Sequence, residues 1–213
     1  MNLASRTVVF AGLTAFAGLV SAAPALSWSE LSEVTPNAGF DPNSGLTYTG
    51  TSFSSSSTKI SLGTLSASGA GQVTYTYLGK EAGYQNIFFA PSATPVWQIN
   101  VSGSPSVGAS VIKNTTGGIL DFKFEGNTGN FAVNGGAWST YSSIGLIKEN
   151  YSGYDFIIGY NDSFSTHNDW DDMVIGVSIA PIPEPETYAL LLAGLGLLGF
   201  AARRRKLKEA AAA

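Results

Sequence analysis

Short segments in which apolar and polar residues alternate run along much of the chain, and they restrict its fold more than any other feature. The clearest is Leu120–Glu125 (LDFKFE), where every second residue is apolar and the residues between are charged. A period of two places one face of a strand in a core and the other face in water. The segment therefore predicts a half-buried β-strand with its three apolar side chains pointing inward.

Similar segments of strand length recur between residues 26 and 181, separated by clusters of Gly, Asn, Ser and Pro. Their apolar residues do not follow the 3.6-residue period of a helix. The pattern predicts an all-β domain, built as an antiparallel β-sandwich or a jelly roll. The other predicted strands are Val73–Tyr77, Ile87–Ala90, Val96–Val101, Ser110–Ile112, Phe131–Val133, Ile144–Ile147, Asp155–Tyr160 and Met173–Ile179.

The charges of residues 26–181 restrict the partners of this domain. Twelve Asp and Glu stand against five Lys, which gives a net charge of −7, and the segment holds no Arg. Binding to phosphates needs a basic surface, so the sequence excludes nucleic acid as a partner. The chain has no Cys, so a hydrophobic core must stabilise the domain without disulfides.

The C-terminal segment has three parts in a fixed order. They are the motif Pro183-Glu184-Pro185, the uncharged apolar run Tyr188–Ala202 and the basic cluster Arg203, Arg204, Arg205 and Lys206. Pro183 and Pro185 fix φ and lack backbone donors, so Glu184 between them is expected to lie in an extended segment outside the helix, a suitable shape for a protease substrate. As a helix the apolar run would be about 22 Å long, against a hydrocarbon core of about 30 Å, and it predicts a short membrane span with the basic cluster in the cytoplasm.

This three-part pattern over residues 182–208 resembles the PEP-CTERM sorting signal, which exosortases read in Gram-negative bacteria. The resemblance implies that an exosortase-like membrane protease cuts near the Pro-Glu-Pro motif. It also implies transient anchoring in the inner membrane and later release to the cell surface or the medium. Association with exopolysaccharide and biofilm matrix is a further implication.

The N-terminal segment predicts a secretory signal peptide over residues 1–25. Arg6 gives a weakly positive start, Thr7–Val20 is apolar, and residues 23–25 (Ala-Pro-Ala) fit a small-residue cleavage site. The alternative is a retained N-terminal anchor. The secretion translocon and a signal peptidase are the expected partners, and the exported domain then covers residues 26–181.

Acidic residues gather on both sides of one loop near the end of the domain. Carboxylate oxygens are ligands that calcium prefers, and neighbouring carboxylates repel one another unless a cation relieves them. The sequence therefore predicts a calcium site, and the alternative is a solvated turn closed by side-chain hydrogen bonds. The predicted ligands are Asp162, Asp169, Asp171 and Asp172.

The same region, residues 156–174, is similar to a segment near the end of bacterial secreted β domains of unassigned function. In that pattern a strand is followed by D-[FYW]-N-D-[ML]-V, which Asp169–Val174 match in large part. Asp171 stands where Asn is usual, and His167 stands where an acid is frequent. The resemblance implies a β domain and no particular activity.

Trp138 and Trp170 are the candidate glycan contacts, because both lie in polar loops and an indole can pack on a sugar ring. A catalytic site is not predicted, since the only histidine is His167 and no serine lies in a nucleophile elbow. We therefore expect a structural or adhesive, non-catalytic surface protein. The alternatives are a carbohydrate-binding module and a secreted hydrolase that uses two carboxylates.

Overall fold

The computed structural model describes residues 22–36, 59–91, 93–126, 129–139, 142–162, 169–182 and 185–210. Within these ranges the chain forms twelve strands and one helix, α1 (Pro185–Ala210), which confirms the all-β prediction for the domain. The strands are β1 (Leu26–Val34), β2 (Ile60–Ala67), β3 (Gly71–Gly79), β4 (Asn86–Phe89), β5 (Trp97–Gln98), β6 (Ser110–Thr115), β7 (Gly118–Ile119), β8 (Lys123–Gly126), β9 (Phe131–Val133), β10 (Ser143–Tyr151), β11 (Tyr154–Asn161) and β12 (Met173–Ala180).

The larger of two sheets has the order β1-β2-β10-β11-β12-β3-β6, and β7 also pairs with β2. All of these pairs are antiparallel. Neighbouring residues of the central strands, such as Ile157 and Ile158 or Val174 and Ile175, are all buried. Successive side chains of a strand point to opposite faces, so the centre of this sheet is covered on both sides.

The second sheet has the order β5-β4-β8-β9 and packs against the first through aromatic rings. Phe124 stacks on Tyr160 with ring centres 5.0 Å apart, and Phe88 lies 5.3 Å from Tyr75. All four rings are at most 1% exposed, and burial of a side chain of this size contributes about 1.5–3 kcal/mol. The two sheets therefore share one core, while the finer choice between a sandwich and a jelly roll stays a prediction.

A buried asparagine after β9 connects the two sheets. The Oδ1 atom of Asn134 accepts a hydrogen bond from the Leu65 N–H at 2.8 Å. Its Nδ2 atom donates to the carbonyl oxygens of Leu65 and Leu120, at 2.8 and 2.7 Å. The Asn134 side chain therefore provides a hydrogen-bond partner for three buried backbone groups, the N–H and carbonyl of Leu65 and the carbonyl of Leu120.

Two paired glycines make room for a tryptophan on the large sheet. A Cβ atom at Gly159 would lie 1.9 Å from the carbonyl oxygen of Trp170, and one at Gly145 would lie 2.7 Å from the Trp170 ring. Gly145 and Gly159 face each other in β10 and β11. Because both lack a side chain, Trp170 can pack against Ile60 and Leu62 of β2.

Most predicted strands are confirmed, with shifts at their ends. Val96–Val101 contains only the two-residue strand β5, and Asn100 beyond it has a positive φ of 59°. In Leu120–Glu125 the apolar side chains are buried as predicted, but strand pairing begins only at Lys123. The sequence did not predict β1, β2 or β7.

The chain joins the large sheet immediately before β1. The Ala25 N–H donates to Ser68 Oγ, and the Ala25 carbonyl oxygen accepts from the Ser68 N–H, both at 2.9 Å. Residues 1–21, which hold most of the predicted signal peptide, lie outside the described residues. The signal peptide therefore stays a prediction.

The predicted C-terminal helix is present, and it begins at Pro185. A proline suits the first helical position, where its fixed φ is helical and no N–H is needed. The extended segment expected at Glu184 stays a prediction, because Glu184 lies outside the described residues. No helix within the described residues combines the length and the apolar character that a membrane span requires. The predicted membrane span is therefore not confirmed.

Candidate functional site

The acidic residues predicted to share one hairpin are brought together by β11 and β12. These strands pair with Tyr160 opposite Met173, so Asp162 after β11 comes close to Asp171 and Asp172 before β12. The three side chains, called here the buried acidic cluster, are 8%, 3% and 6% exposed. The three side chains are therefore not solvated, although the local side-chain hydrogen bond that the alternative to a calcium site predicted is present between Asp172 and the Asp162 N–H.

The buried acidic cluster is held by amide donors. Asp172 Oδ2 accepts a hydrogen bond from the backbone N–H of Asp162 at 2.7 Å, and Asp162 Oδ2 accepts one from Asn86 Nδ2 at 2.5 Å. The backbone N–H of Glu81 donates to the carbonyl oxygen of Asp171 at 2.7 Å. These bonds attach the β11–β12 hairpin to β4 and to the segment after β3.

Two carboxyl groups of the cluster have raised pKa values. Burial, together with the negative charges of Asp162, Asp169 and Asp171, raises the pKa of Asp172 to about 9. Burial also raises the pKa of Asp162, although its hydrogen bonds to Asn86 and Asp172 act in the opposite direction. Neither Asp162 nor Asp172 forms an ion pair with a basic residue of the described ranges. Asp172 therefore keeps its proton at neutral pH.

Asn86 is the member of this site that the sequence analysis missed. It is buried in β4, 76 positions from Asp162, and its Oδ1 atom has no hydrogen-bond partner among the described residues. The available signal was its position one residue before the predicted strand Ile87–Ala90 and two residues before Phe88, which places it on the Phe88 face if the strand is extended by one residue. A polar residue on a core face needs a polar partner.

The predicted calcium site is not supported by this geometry. Within the described part of the chain, no group of three or more acidic or histidine side chains is placed to hold a metal ion. Asp169, the fourth predicted ligand, is half-buried. The arrangement joins the hairpin to the rest of the domain through hydrogen bonds, which is a structural role.

The two tryptophans predicted to contact a glycan are packed into the protein. Trp170 is 1% exposed, and its Nε1 donates to Ser143 Oγ at 2.9 Å. Trp138 is half-buried, and its Nε1 donates to the Val133 carbonyl oxygen at 3.0 Å. The prediction for Trp170 is wrong, because the glycines beneath it let the indole enter the core. His167 lies outside the described residues.

The sorting motif is described only in part. Pro185 begins α1, and the Arg203 and Arg204 side chains are exposed further along the helix. The Arg204 guanidinium lies 5.8 Å from the centre of the Phe200 ring, within range of a cation–π contact. Other parts of the predicted sorting signal lie outside the described residues, namely Pro183, Glu184 and the side chains of Arg205 and Lys206.

Comparison with known proteins identifies the C-terminal segment. A family model described as the PEP-CTERM protein-sorting motif matches residues 181–206. No curated protein and no solved structure matches the chain significantly. The matched residues include the Pro-Glu-Pro motif, the apolar run and the basic cluster, and such a motif implies an exported surface protein that an exosortase processes. Residues 181–206 of the chain therefore carry a PEP-CTERM protein-sorting motif.

Proposed function

We propose that this chain is a structural or adhesive protein of an exopolysaccharide matrix, exported, cut by an exosortase and without catalytic activity. The observation that carries the proposal is a sorting motif at residues 181–206, directly after an all-β domain. We treat the domain as a β-sandwich, since its two sheets share one aromatic core. The proposed partners are an exosortase-like protease, the secretion translocon, a signal peptidase and exopolysaccharide.

The buried acidic cluster supports a structural role for the most acidic segment of the domain. A hydrolase that uses two carboxylates must bring both to the substrate. Asp162 and Asp172 are buried, and each accepts a hydrogen bond from another segment or from the hairpin backbone. These two side chains therefore stabilise the hairpin and are poorly placed to act on an external substrate.

A carbohydrate-binding module is the second candidate. Trp170 is buried and is therefore not available to such a module as a sugar contact. The module also cannot depend on an exposed row of tryptophans at the predicted positions. A cavity beside β3 and β6 offers a different surface for a small ligand. That cavity is the specific observation in favour of this second function.

Glu184→Ala is expected to block processing without affecting the fold. Glu184 is the central residue of the sorting motif and lies beyond β12, the last strand. In a host that has its exosortase, uncut precursor should accumulate with the membranes, while the cut wild-type protein reaches the surface fraction. Cell fractionation with immunoblotting measures this, and a thermal melt of the full-length chain should show an unchanged midpoint.

Glu186→Ala is the matched control, because it removes the same charge two residues further along the chain. It is expected to be processed as the wild type is. Normal release of Glu184→Ala would contradict recognition through the motif.

Mild periodate oxidation of cells should also release the mature protein from the surface. Recovery of all mature protein in the medium before treatment would contradict the matrix role alone.

A further inference from the structure

A cavity of about 250 Å³ is lined by β3, β6 and the turn that joins β6 to β7. Val73, Tyr75 and Leu120 form its buried base, and the exposed side chain of Ile119 forms an apolar wall. Pockets for small molecules usually measure about 300–1,000 Å³ and combine apolar walls with a few polar groups. This cavity is slightly smaller than that range, so its volume suits a single small unit.

The hydroxyl of Tyr75 is an unused donor at the base of the cavity. The Tyr75 ring is fixed in the core, with its centre 5.3 Å from the ring of Phe88 and 5.9 Å from that of Phe122. Its hydroxyl has no hydrogen-bond partner among the described residues, although the residue is only 1% exposed. The hydroxyl is not among the fully buried side-chain atoms without a partner, because Asn86 Oδ1 is the only such atom in the described part of the chain; the hydroxyl is therefore open to solvent or a ligand. Burial and the charge of Asp121 raise the pKa of Tyr75, so the hydroxyl remains a donor.

Two opposite charges on the rim complete the polar part of the cavity. Lys113 is half-buried and Asp121 is exposed, and neither makes an ion pair or a side-chain hydrogen bond with a described residue. An anionic ligand would be repelled by Asp121, and a cationic ligand would be repelled by Lys113. A neutral ligand with several hydroxyl groups could donate to Asp121 and accept from Lys113 and Tyr75.

The turn on one side of the cavity is held in place by glycines. Gly117 and Gly118 have φ values of 98° and 83°, which other residues rarely adopt. A Cβ atom at Gly117 would also lie 3.0 Å from the Cα atom of Gly69. The Gly117 N–H donates to Thr115 Oγ1 at 3.1 Å. The rim is therefore formed before any ligand arrives, which reduces the entropic cost of binding.

We propose that this cavity binds one neutral, polyhydroxylated sugar unit, with its carbon–hydrogen face on Ile119 and its hydroxyls on Tyr75, Lys113 and Asp121. The unit is either a free monosaccharide or the terminal unit of a polysaccharide chain. The proposal rests on the second candidate function, the carbohydrate-binding module, and deepens it by naming the ligand class; it depends on the β domain and not on the sorting motif. Its failure would leave the sorting role unchanged.

The test titrates the purified full-length chain with a panel of neutral hexoses and 6-deoxyhexoses and with their methyl glycosides, and saturation-transfer NMR detects binding. At least one neutral sugar is expected to bind saturably. Tyr75→Phe removes one hydroxyl and Asp121→Asn removes one charge, and each should weaken binding about 5- to 10-fold. Glu149→Gln, at an exposed position of β10 outside the cavity, is the matched control and should bind as the wild type does.

The outcomes distinguish a free monosaccharide from the terminal unit of a polysaccharide, and they also test whether binding takes place in this cavity. Binding of both free sugar and methyl glycoside assigns the cavity to a chain-terminal unit, whereas binding of the free sugar alone assigns it to a soluble monosaccharide. Saturable binding that Tyr75→Phe and Asp121→Asn leave unchanged would overturn the assignment to this cavity. A panel with no saturable response, or glucuronate binding as tightly as glucose, would overturn the proposed ligand class.

Discussion

Asp172→Asn is expected to raise the melting temperature of the protein at pH 8 and to leave it nearly unchanged at pH 4. The folded protein holds the Asp172 proton up to about pH 9, whereas an unfolded chain releases it near pH 4. The stability that comes from this raised pKa is fully present below about pH 4 and is lost as the pH rises toward 9. Asparagine resembles the neutral acid and has no proton to lose, so the variant avoids this loss.

The expected effect at pH 8 is large for a single polar substitution. One pKa unit corresponds to about 1.4 kcal/mol, and the shift spans several units, so a gain of at least about 2 kcal/mol is expected. In a domain of this size that equals about 4–8 °C. Melting by circular dichroism at several pH values, with a chelator present to exclude bound metal, measures the change.

The acidic neighbours of Asp172 define the control. Asp162, Asp169 and Asp171 all raise its pKa, so the variant also relieves repulsion within the buried acidic cluster. Glu149→Gln removes one exposed charge from β10 and should leave the pH dependence of stability as it is in the wild type. A lower melting temperature for Asp172→Asn at pH 8 would mean that the carboxylate is charged and stabilising in the folded protein, contrary to this account.

Asn134→Ala should destabilise the protein by about 2–6 kcal/mol. The change removes three buried hydrogen bonds to backbone groups of Leu65 and Leu120. The Leu65 carbonyl oxygen keeps a hydrogen bond from the Leu120 N–H at 3.0 Å, so the loss comes mainly from the Leu65 N–H and the Leu120 carbonyl oxygen. Each buried polar group that loses its partner costs about 1–3 kcal/mol. Chemical denaturation followed by tryptophan fluorescence gives the change in the free energy of unfolding.

Two further variants separate hydrogen bonding from other effects of this substitution. Asn134→Asp keeps an acceptor for the Leu65 N–H but loses both donated bonds, so it should also destabilise the fold. Asn114→Ala changes the same residue type at an exposed position of β6 and should alter stability by less than about 0.5 kcal/mol. Equal stability of Asn134→Ala and Asn114→Ala would show that the two sheets are held without Asn134.

Strands rich in large apolar residues were predictable from the sequence, and strands with few such residues were not. β3, β11 and β12 carry large apolar residues on their core faces, and their positions were predicted closely. β2 reads ISLGTLSA, in which small and polar residues fill buried positions beside Trp28, so the pattern is faint. β1 is an edge strand with an exposed centre, and its apolar residues are too few to mark a strand.

The sequence predicted which acids come together but not what surrounds them. Asp162 and Asp172 flank one predicted hairpin, so their proximity follows from local pairing. The hydrogen-bond partner of Asp162 is Asn86, which is remote in sequence and lies on β4 of the other sheet, so local pairing does not predict the contact. Trp170 was expected at the surface for a similar reason, since Gly145 and Gly159 create its slot from two other strands.

The short connection between the last strand and the sorting motif limits how a protease can approach. β12 ends at Ala180 and is bonded on both sides, to β11 and to β3. Four peptide units separate Ala180 from Glu184, a reach of at most about 14 Å even when fully extended. The protease must therefore work against the face of a folded domain, and a cut at the motif would detach the helix without removing any residue from the sheet.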